Sequence, residues 1–368
     1  MDKFRVYMQY PLRISDSQYY KSMIDNPPEN IEYIDGKNKV GMISNKGSFA
    51  LFNFLKKQIR LWTEKFNLIL PNAHLSKNIE DCDIIHCAHC LSKNENIPWV
   101  FDVESLWQMW ISGRENPGSR DKVLKYLKRD NCKKIIAWTK ETQKDIIKKF
   151  PEIKEKVDLI YYAMPEQRMG KKNGKTITLF FSGRHFYNKG GLHATEVMDK
   201  LTKKYPNIKG VINGDIPEKI ISKYSENKKL EFHQLMPYKD VLKLYRRADI
   251  FVYPGYSDTF GFGFMDAMAF GAPIVTVDGH ARKEIVEDGK TGFVISRGTT
   301  PHRELSRNIN KAIIQEMENK ISLLIKDEKL RKTMSKNCIR NIRSGKFSLN
   351  KRNAKLEKIY RNAINKDL

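Results

Sequence analysis

Two series of short strand candidates, each alternating with helical stretches, constrain the fold of this chain more than any other feature. In the first series, residues 83–86, 99–103 and 133–138 are compact runs rich in apolar residues. A second series starts at 177–181 and includes the apolar run 250–253. Short strands that alternate with helices are typical of βαβ units and of mainly parallel sheets. The sequence therefore predicts an α/β protein with two such sheets.

A break in this pattern at residues 163–176 marks the boundary between two domains. The segment contains one proline, two glycines and three lysines without periodic apolar residues, which is the composition of a linker. The last stretch, from about residue 303, is helical, basic and amphipathic by its apolar spacing. We therefore divide the chain into domains at 1–165 and 166–345 and a terminal helix at 346–368.

The composition excludes several classes of protein. Hydrophobic residues make up 40% of the chain, which is enough for a buried core and excludes wholesale disorder. No apolar run reaches the ~18–20 residues of a membrane span, and the first residues contain no apolar signal-peptide stretch. The five cysteines are few and odd in number, which argues against a disulfide framework. We therefore expect a cytoplasmic protein.

The net charge of +24 is unevenly placed, because residues 1–170 carry only +6 of it. A basic surface suits nucleic acid, anionic lipid or a phosphorylated substrate. The alternative is that lysines merely solvate helix faces. Aromatic residues do not interleave with the basic C-terminal residues, as stacking on bases requires, so nucleic acid is not the expected partner.

Two turns after predicted strands carry the chemistry. The first runs from Gly183 and Arg184 to Lys189, where glycine lets backbone approach a phosphate and two cations neutralise a diphosphate. In the second, Asp258 lies in a loop before a predicted helix and Asp266 lies about two turns inside that helix. Paired carboxylates bind the vicinal hydroxyls of sugars. The alternatives are an ordinary turn with solvated cations, a helix cap at Asp258 and a surface acid at Asp266.

This second motif resembles the signature of family 4 glycosyltransferases, nucleotide-sugar enzymes of the two-domain GT-B fold. Two acidic residues eight positions apart, Asp258 and Asp266, precede an Ala-Met-Ala-x-Gly-x-Pro stretch. Flanking segments at 245–254 and 284–293 are similar to the family as well. The resemblance is strong over about residues 177–365, whereas the first domain matches only in its strand pattern.

The resemblance implies two facing Rossmann-like domains, with the terminal helix crossing back to the first. It implies transfer of a hexose-type sugar from a nucleotide-diphosphate sugar to a glycan or lipid-linked saccharide. Such enzymes typically retain the anomeric configuration and need neither metal nor another cofactor. Arg184 and Lys189 then hold the diphosphate, Asp266 the ribose and Asp258 the hexose. The residues assigned to donor binding are Gly183, Arg184, Lys189, His233, Leu235, Asp258, Gly261, Phe262, Gly263 and Asp266.

The chain also departs from the family pattern. The family usually has Glu at both acidic positions, and residues 8–13 lack the glycines of its acceptor loop. Where a catalytic histidine often ends a strand of the first domain, this chain has Asp102 or Glu104. We therefore count Glu104, with Asp258, Arg184 and Lys189, among the catalytic candidates. The alternative for Glu104 is a helix cap.

Two further segments have more than one interpretation. Cys82, Cys87 and Cys90 resemble a zinc-binding cluster, but no second cysteine pair follows, and we expect a buried strand with His86 or His89 facing the ligand cleft. Residues 51–66 form an amphipathic helix, expected to pack on the core, with an anionic membrane surface as the alternative. Its basic residues are Lys56, Lys57, Arg60 and Lys65.

Two alternatives to transfer remain open. A glycosyl phosphorylase or a sugar-nucleotide epimerase on the same fold would depend on phosphate or turn over without an acceptor. A protein that kept the fold but lost catalysis would bind nucleic acid or another anionic surface, with an affinity that falls steeply with salt.

Overall fold

The structure is a computed structural model of the chain. It describes residues 3–10, 18–34, 54–55, 58–59, 61–63, 65–66, 70–77, 79, 81–111, 118–167 and 176–364.

The chain divides into two compact units. The first comprises residues up to Ala163 together with those from Lys346 onward, and the second is Met164–Gly345. The division therefore falls two residues before the predicted boundary at 165, and at the predicted position after 345.

The first unit contains a six-stranded, wholly parallel sheet in the order β2-β1-β4-β6-β7-β8. Strands β4 and β6 are buried along their whole length, as expected for the centre of a sheet covered on both faces. The strands are β1 (Phe4–Gln9), β2 (Ile31–Ile34), β3 (Ala73–His74), β4 (Ile84–Ala88), β5 (Leu91–Ser92), β6 (Trp99–Val103), β7 (Cys132–Ala137) and β8 (Val157–Leu159). The helices are α1 (Gln18–Asp25), α2 (Ser119–Leu127) and α3 (Lys140–Lys149), with short 3₁₀ turns at Leu106–Met109 and Pro151–Lys156.

The second unit contains another six-stranded parallel sheet, in the order β11-β10-β9-β12-β13-β14. Successive strands extend the sheet in one direction from β9 to β11, and from β12 they extend it in the other. The order therefore reverses between β9 and β12. The strands are β9 (Ile177–Gly183), β10 (Ile208–Gly214), β11 (Leu230–His233), β12 (Ile250–Val252), β13 (Ile274–Val277) and β14 (Gly292–Ile295).

Helices connect the strands of the second unit, and three further helices follow its last strand, β14. Side-chain caps mark two of the starts: Asn310 accepts a hydrogen bond from the Ile313 amide, and Asp327 accepts one from the Leu330 amide. The helices are α4 (Gly191–Lys204), α5 (Glu218–Lys223), α6 (Tyr238–Arg247), α7 (Phe262–Ala269), α8 (Arg282–Ile285), α9 (His302–Leu305), α10 (Lys311–Lys326) and α11 (Glu328–Arg343).

The terminal helix α12 (Leu349–Ala363) packs on the first unit, as predicted. The buried Arg352 donates from Nη2 to the Asn26 carbonyl oxygen at 2.6 Å. The Tyr360 hydroxyl lies 2.6 Å from His86 Nδ1 in the middle of the sheet. These buried polar contacts fix the helix in one register against β4 and α1, since any shift would leave them unpaired.

The prediction that the helix at 51–66 packs on the core is wrong for its described residues. Leu51 and Phe52 of the predicted apolar stripe lie outside the described residues. The others are helical up to residue 65, yet Leu55, Ile59, Trp62 and Phe66 are exposed, and Trp62 is 65% exposed. Apolar periodicity predicts the helix but not which surface covers its apolar face. Among the described residues, no helix has the length and apolar character needed to cross a membrane.

Candidate functional site

The site predicted in the second half of the chain lies where the strand order of the second sheet reverses. Strands β9 and β12 are neighbours there, and both run in the same direction. In open α/β sheets, ligands bind in the crevice at the carboxyl ends of the strands at such a reversal. The two turns singled out in the sequence follow β9 and β12, so the topology brings them together although they lie about 70 residues apart along the chain.

Backbone hydrogen bonds join these two turns. The Gly255 amide donates to the Lys189 carbonyl oxygen at 3.0 Å, and the Ser257 amide donates to the Asn188 carbonyl oxygen at 3.1 Å. Within the first turn, Gly183 is required next to Lys189, because a Cβ at position 183 would lie 2.7 Å from the Lys189 Cβ. The glycine thus leaves room for the Lys189 stem at the end of β9.

Lys189 and Asp258 form an ion pair at the centre of the site. The Lys189 ammonium donates to Asp258 Oδ1, and both side chains are largely buried. Burial by itself raises the pKa of the Asp258 carboxyl, but the charges of Lys189 and Arg282 outweigh burial and lower that pKa below its usual value. Asp258 is therefore a carboxylate at neutral pH. A hydrogen bond from the Tyr253 side chain to this carboxylate lowers the same pKa further.

Helix α7 begins directly after this pair. Its N-cap is Gly261, whose φ of +85° lies in the left-handed region that favours glycine. No side chain caps the helix, so the alternative that Asp258 serves as the cap is wrong. The amides of Phe262 and Gly263 lie in the first turn, the end of a helix that favours an anion or a hydroxyl.

Asp266 lies in α7 and is 6% exposed, so it is not a surface acid. The Tyr238 hydroxyl donates to its Oδ1 at 2.5 Å. Burial raises the pKa of Asp266 to about 7, and the hydrogen bond from Tyr238 only partly opposes this effect. The carboxyl therefore changes its protonation state close to neutral pH.

The remaining predicted donor residues lie at or just after the carboxyl ends of strands β9 and β11. Arg184 is half-buried and directly follows β9. His233 ends β11, and its Nε2 lies 2.5 Å from Glu231 Oε1. Leu235 follows it as a half-buried residue. The Asn213 side-chain amide donates to the Gln234 carbonyl oxygen at 3.0 Å, which fixes the backbone of this segment.

The sequence did not point to Arg282 or to Tyr238. Arg282 is 2% exposed, and its Nη1 donates to the Asp258 carbonyl oxygen at 2.8 Å. Tyr238 starts α6 and reaches Asp266 from there. Neither belongs to a recognisable motif, because each depends on packing between helices and loops that are distant in sequence.

In the first unit, the structure corrects two predictions. His86 does not face a ligand site, because it is fully buried and its Nε2 lies 2.6 Å from Asp102 Oδ2. His89 is half-buried and has a positive φ of 57°.

Glu104 is not the helix cap, since Ser105 holds that position before the 3₁₀ turn. The Glu104 amide donates to Gln108 Oε1 at 2.9 Å.

The cysteine segment forms a strand and a turn. Cys87 and Cys90 are buried, and burial raises the pKa of the Cys87 thiol well above its usual value. Within the part of the chain that the structure describes, no group of three or more His, Cys, Asp or Glu side chains is arranged to hold a metal ion.

The strand order of the second sheet, with a glycine turn and an ion pair at its reversal, defines a doubly wound α/β domain of the kind that binds nucleotides. Residues 165–340 match the family described as "Glycosyl transferases group 1". The second unit therefore matches this family, and the resemblance read from the motifs is confirmed.

One curated relative is the capsular polysaccharide biosynthesis glycosyltransferase CapM of Staphylococcus aureus, 29% identical over 109 residues. That alignment covers 30% of this chain and 25% of CapM. The alignments with the first curated relatives span from 25% to 62% of the relatives' own length.

Two solved structures resemble the whole chain in fold. A glycosyltransferase from Rickettsia africae aligns over 100% of both chains, with a TM-score of 0.62 and 15% identity. Anabaena HepE, solved with UDP and glucose, aligns over 97% of this chain and 98% of its own, with a TM-score of 0.59 and 14% identity. The predicted fold class, two Rossmann-like α/β domains of the GT-B type, is confirmed.

Proposed function

We propose that this protein transfers a hexose-type sugar from a nucleotide-diphosphate sugar to a glycan or lipid-linked saccharide. The observation that carries the proposal is the buried Lys189–Asp258 pair at the strand-order reversal of the second sheet. A cation and a carboxylate held side by side suit a ligand with a diphosphate next to a polyol. The family match, and the UDP and glucose present in the HepE structure, support the same class of donor.

Each residue of the site has a role in this proposal. Arg184 and Lys189 bind the diphosphate and stabilise the charge that develops on it as the glycosidic bond breaks. Asp266 accepts hydrogen bonds from the ribose, and Asp258 accepts them from the hexose. The first amides of α7 contact the phosphate or the sugar.

We also propose that transfer is metal-independent and retains the anomeric configuration. Lys189 and Arg184 supply the positive charge that a divalent cation would otherwise bring to the leaving diphosphate. Both acidic positions are Asp, one methylene shorter than Glu, so the hexose must approach Asp258 more closely than a longer side chain would require. A role for Glu104 at the acceptor and a cytoplasmic location remain predictions.

A donor-turnover assay tests the proposal. The protein is incubated in EDTA with glucose linked to UDP, GDP, ADP or dTDP, with and without a lipid-linked saccharide extract, and released nucleoside diphosphate is measured. We expect release from one donor that rises when acceptor is added, with an α-linked product by NMR. No release from any donor, with or without acceptor, would contradict the proposal.

The same assay separates the alternatives. A phosphorylase would release sugar 1-phosphate only when inorganic phosphate is present. An epimerase would change the sugar without releasing nucleoside diphosphate. A non-catalytic nucleic-acid binder would turn over none of the donors and would bind an oligonucleotide with an affinity that falls steeply between 50 and 200 mM salt.

We further propose that the segment at 54–66, whose described large apolar side chains are exposed, rests on an anionic membrane surface, where a lipid-linked acceptor would be found. Its exposed large apolar side chains have no cover among the described residues, and four basic residues lie between positions 56 and 65 of the sequence. An interfacial helix usually inserts apolar side chains into the membrane surface, and its basic side chains are attracted to anionic lipids. The exposed side chains are Phe54, Leu55, Ile59, Leu61, Trp62 and Phe66.

Vesicle sedimentation tests this surface. We expect the chain to bind vesicles with 30% phosphatidylglycerol and not pure phosphatidylcholine, and we expect Trp62→Ser with Phe66→Ser to reduce binding at least tenfold. Trp107→Ser is the matched control, because Trp107 is 43% exposed but lies outside the segment. Equal binding by the double variant and the wild type would exclude the segment as the contact.

A further inference from the structure

Arg282 is a buried cation next to the proposed donor site. It starts the short helix α8, after the loop that follows β13, and only 2% of it is exposed. Its Nη1 donates to two backbone carbonyl oxygens, those of Asp258 and Gly279, both at 2.8 Å. These two bonds tie the loop that holds Asp258 to the loop that follows β13, and they fix the plane of the guanidinium group.

The opposite edge of this guanidinium group has no partner in the described structure. Both Nε and Nη2 are buried and make no hydrogen bond to any described residue. Buried donors of a charged group destabilise the fold when they are unpaired. The hydrogen on Nε and one hydrogen on Nη2 point in the same direction. This edge can therefore donate two parallel hydrogen bonds to two oxygens of a carboxylate or a phosphate.

A purely structural role of Arg282 does not use the Nε–Nη2 edge of its guanidinium group. The two backbone carbonyl oxygens occupy Nη1 alone, and the Asp258 carboxylate is held by Lys189 rather than by the guanidinium group. Arg282 nevertheless lies close enough to lower the pKa of that carboxyl. Lys189, Arg282 and Asp258 together carry a net positive charge. Asp278, whose charge also acts on Arg282, is already paired with Lys283.

We infer that Arg282 is a further donor-binding residue whose Nε–Nη2 edge holds an anionic group with two adjacent oxygens. This inference rests on the proposed function. Two parts of a sugar nucleotide supply such a group: a phosphate of the diphosphate, or the carboxylate of a transferred uronic acid. Both would complete the hydrogen bonds of Arg282 and neutralise the excess charge of the cluster.

Calorimetric titrations in EDTA distinguish the two sources. UDP, UDP-glucose and UDP-glucuronate, or the same three ligands with another base that stabilises the protein better, are titrated into the wild type, Arg282→Lys and Arg282→Gln. If Arg282 holds a phosphate, both variants lose at least tenfold in affinity for all three ligands. If it holds a sugar carboxylate, the wild type prefers UDP-glucuronate over UDP-glucose, and both variants lose that preference.

The variants and controls keep the test decisive. Arg282→Lys retains the charge but not the two-point edge, so it is informative even if Arg282→Gln fails to fold, as judged by its melting temperature without ligand. Arg297→Gln is the matched control, because Arg297 is only half-buried and its Nη1 donates to the Thr300 carbonyl oxygen. We expect it to change each affinity by less than threefold.

The two proposals fail in different ways. Wild-type affinities in a folded Arg282 variant would overturn the role of Arg282 and leave the proposed function intact. A wild type that binds none of the ligands with any base would overturn the proposed function, and the assignment of Arg282 with it.

Discussion

Replacing Lys189 by Met is expected to reduce donor turnover by about 10²–10³-fold, the usual loss when one group that stabilises developing charge is removed. The same change leaves the Asp258 carboxylate buried without the ammonium that it contacts. Breaking a buried pair from one side typically costs about 3–5 kcal/mol of unfolding free energy. We therefore expect a protein that is both less active and less stable, measured by the donor assay and by urea unfolding.

A double variant separates these two effects. Lys189→Met with Asp258→Asn removes both charges, so it should recover most of the lost stability and none of the lost turnover. Lys332→Met is the control, because Lys332 forms an exposed pair with Glu328, which is expected to contribute less than about 1 kcal/mol. Wild-type turnover in Lys189→Met would show that this ammonium does not act on the leaving diphosphate.

Asp266→Asn is expected to stabilise the protein at alkaline pH. The folded pKa of Asp266 is about 7, against an ordinary value of 3.8. The unfolded chain therefore releases this proton first, and the wild type loses stability as the pH rises from about 4 to about 7. By linkage, a pKa shift of this size lowers the free energy of unfolding by about 4 kcal/mol at most. The asparagine carries no charge to bury and keeps an acceptor for Tyr238.

The test is the difference in unfolding free energy between variant and wild type, measured in urea from pH 5 to pH 8. We expect this difference to grow in favour of Asp266→Asn up to about pH 7 and then to remain constant. Asp240→Asn is the control, because Asp240 is paired with Lys243 near the helix surface and its pKa is lowered by that hydrogen bond. Parallel curves for Asp266→Asn and the wild type would contradict a raised pKa.

Asp266→Asn should also weaken nucleotide binding, because an amide accepts fewer hydrogen bonds from ribose hydroxyls than a carboxylate. A gain in stability with a loss of binding is the expected behaviour of a charge that is buried for function. The site therefore has a physical signature that a merely structural carboxyl would lack.

Most of the architecture could be predicted from apolar runs in the sequence. The central strands β4, β6 and β9 are short, continuous and apolar, since both faces of a parallel sheet are buried. Strand β2 was missed, because Ile31–Ile34 is only four residues long and alternates apolar with polar residues. The segment at 54–66 shows the limit of periodicity, which identifies an apolar face but not its cover.

The site was predictable in its parts but not in its contacts. Gly183, Lys189, Asp258 and Asp266 could be named because glycine turns and spaced carboxylates are recognisable at strand ends. The contact between Lys189 and Asp258 depends on β9 lying next to β12, which only the strand order provides. Arg282 carried no signal among 67 lysines and arginines, because its significance arises from burial.

In this proposal the second unit binds a nucleotide sugar at the Lys189–Asp258 pair. The most direct test is the melting temperature of the wild type and Lys189→Met in EDTA with millimolar UDP, GDP, ADP, dTDP or CMP. A ligand at 100 times its dissociation constant adds about 2.7 kcal/mol, which corresponds to a shift of several degrees. We predict that one nucleotide produces this shift in the wild type and much less in Lys189→Met. No shift with any nucleotide, or an equal shift in both proteins, would contradict the claim.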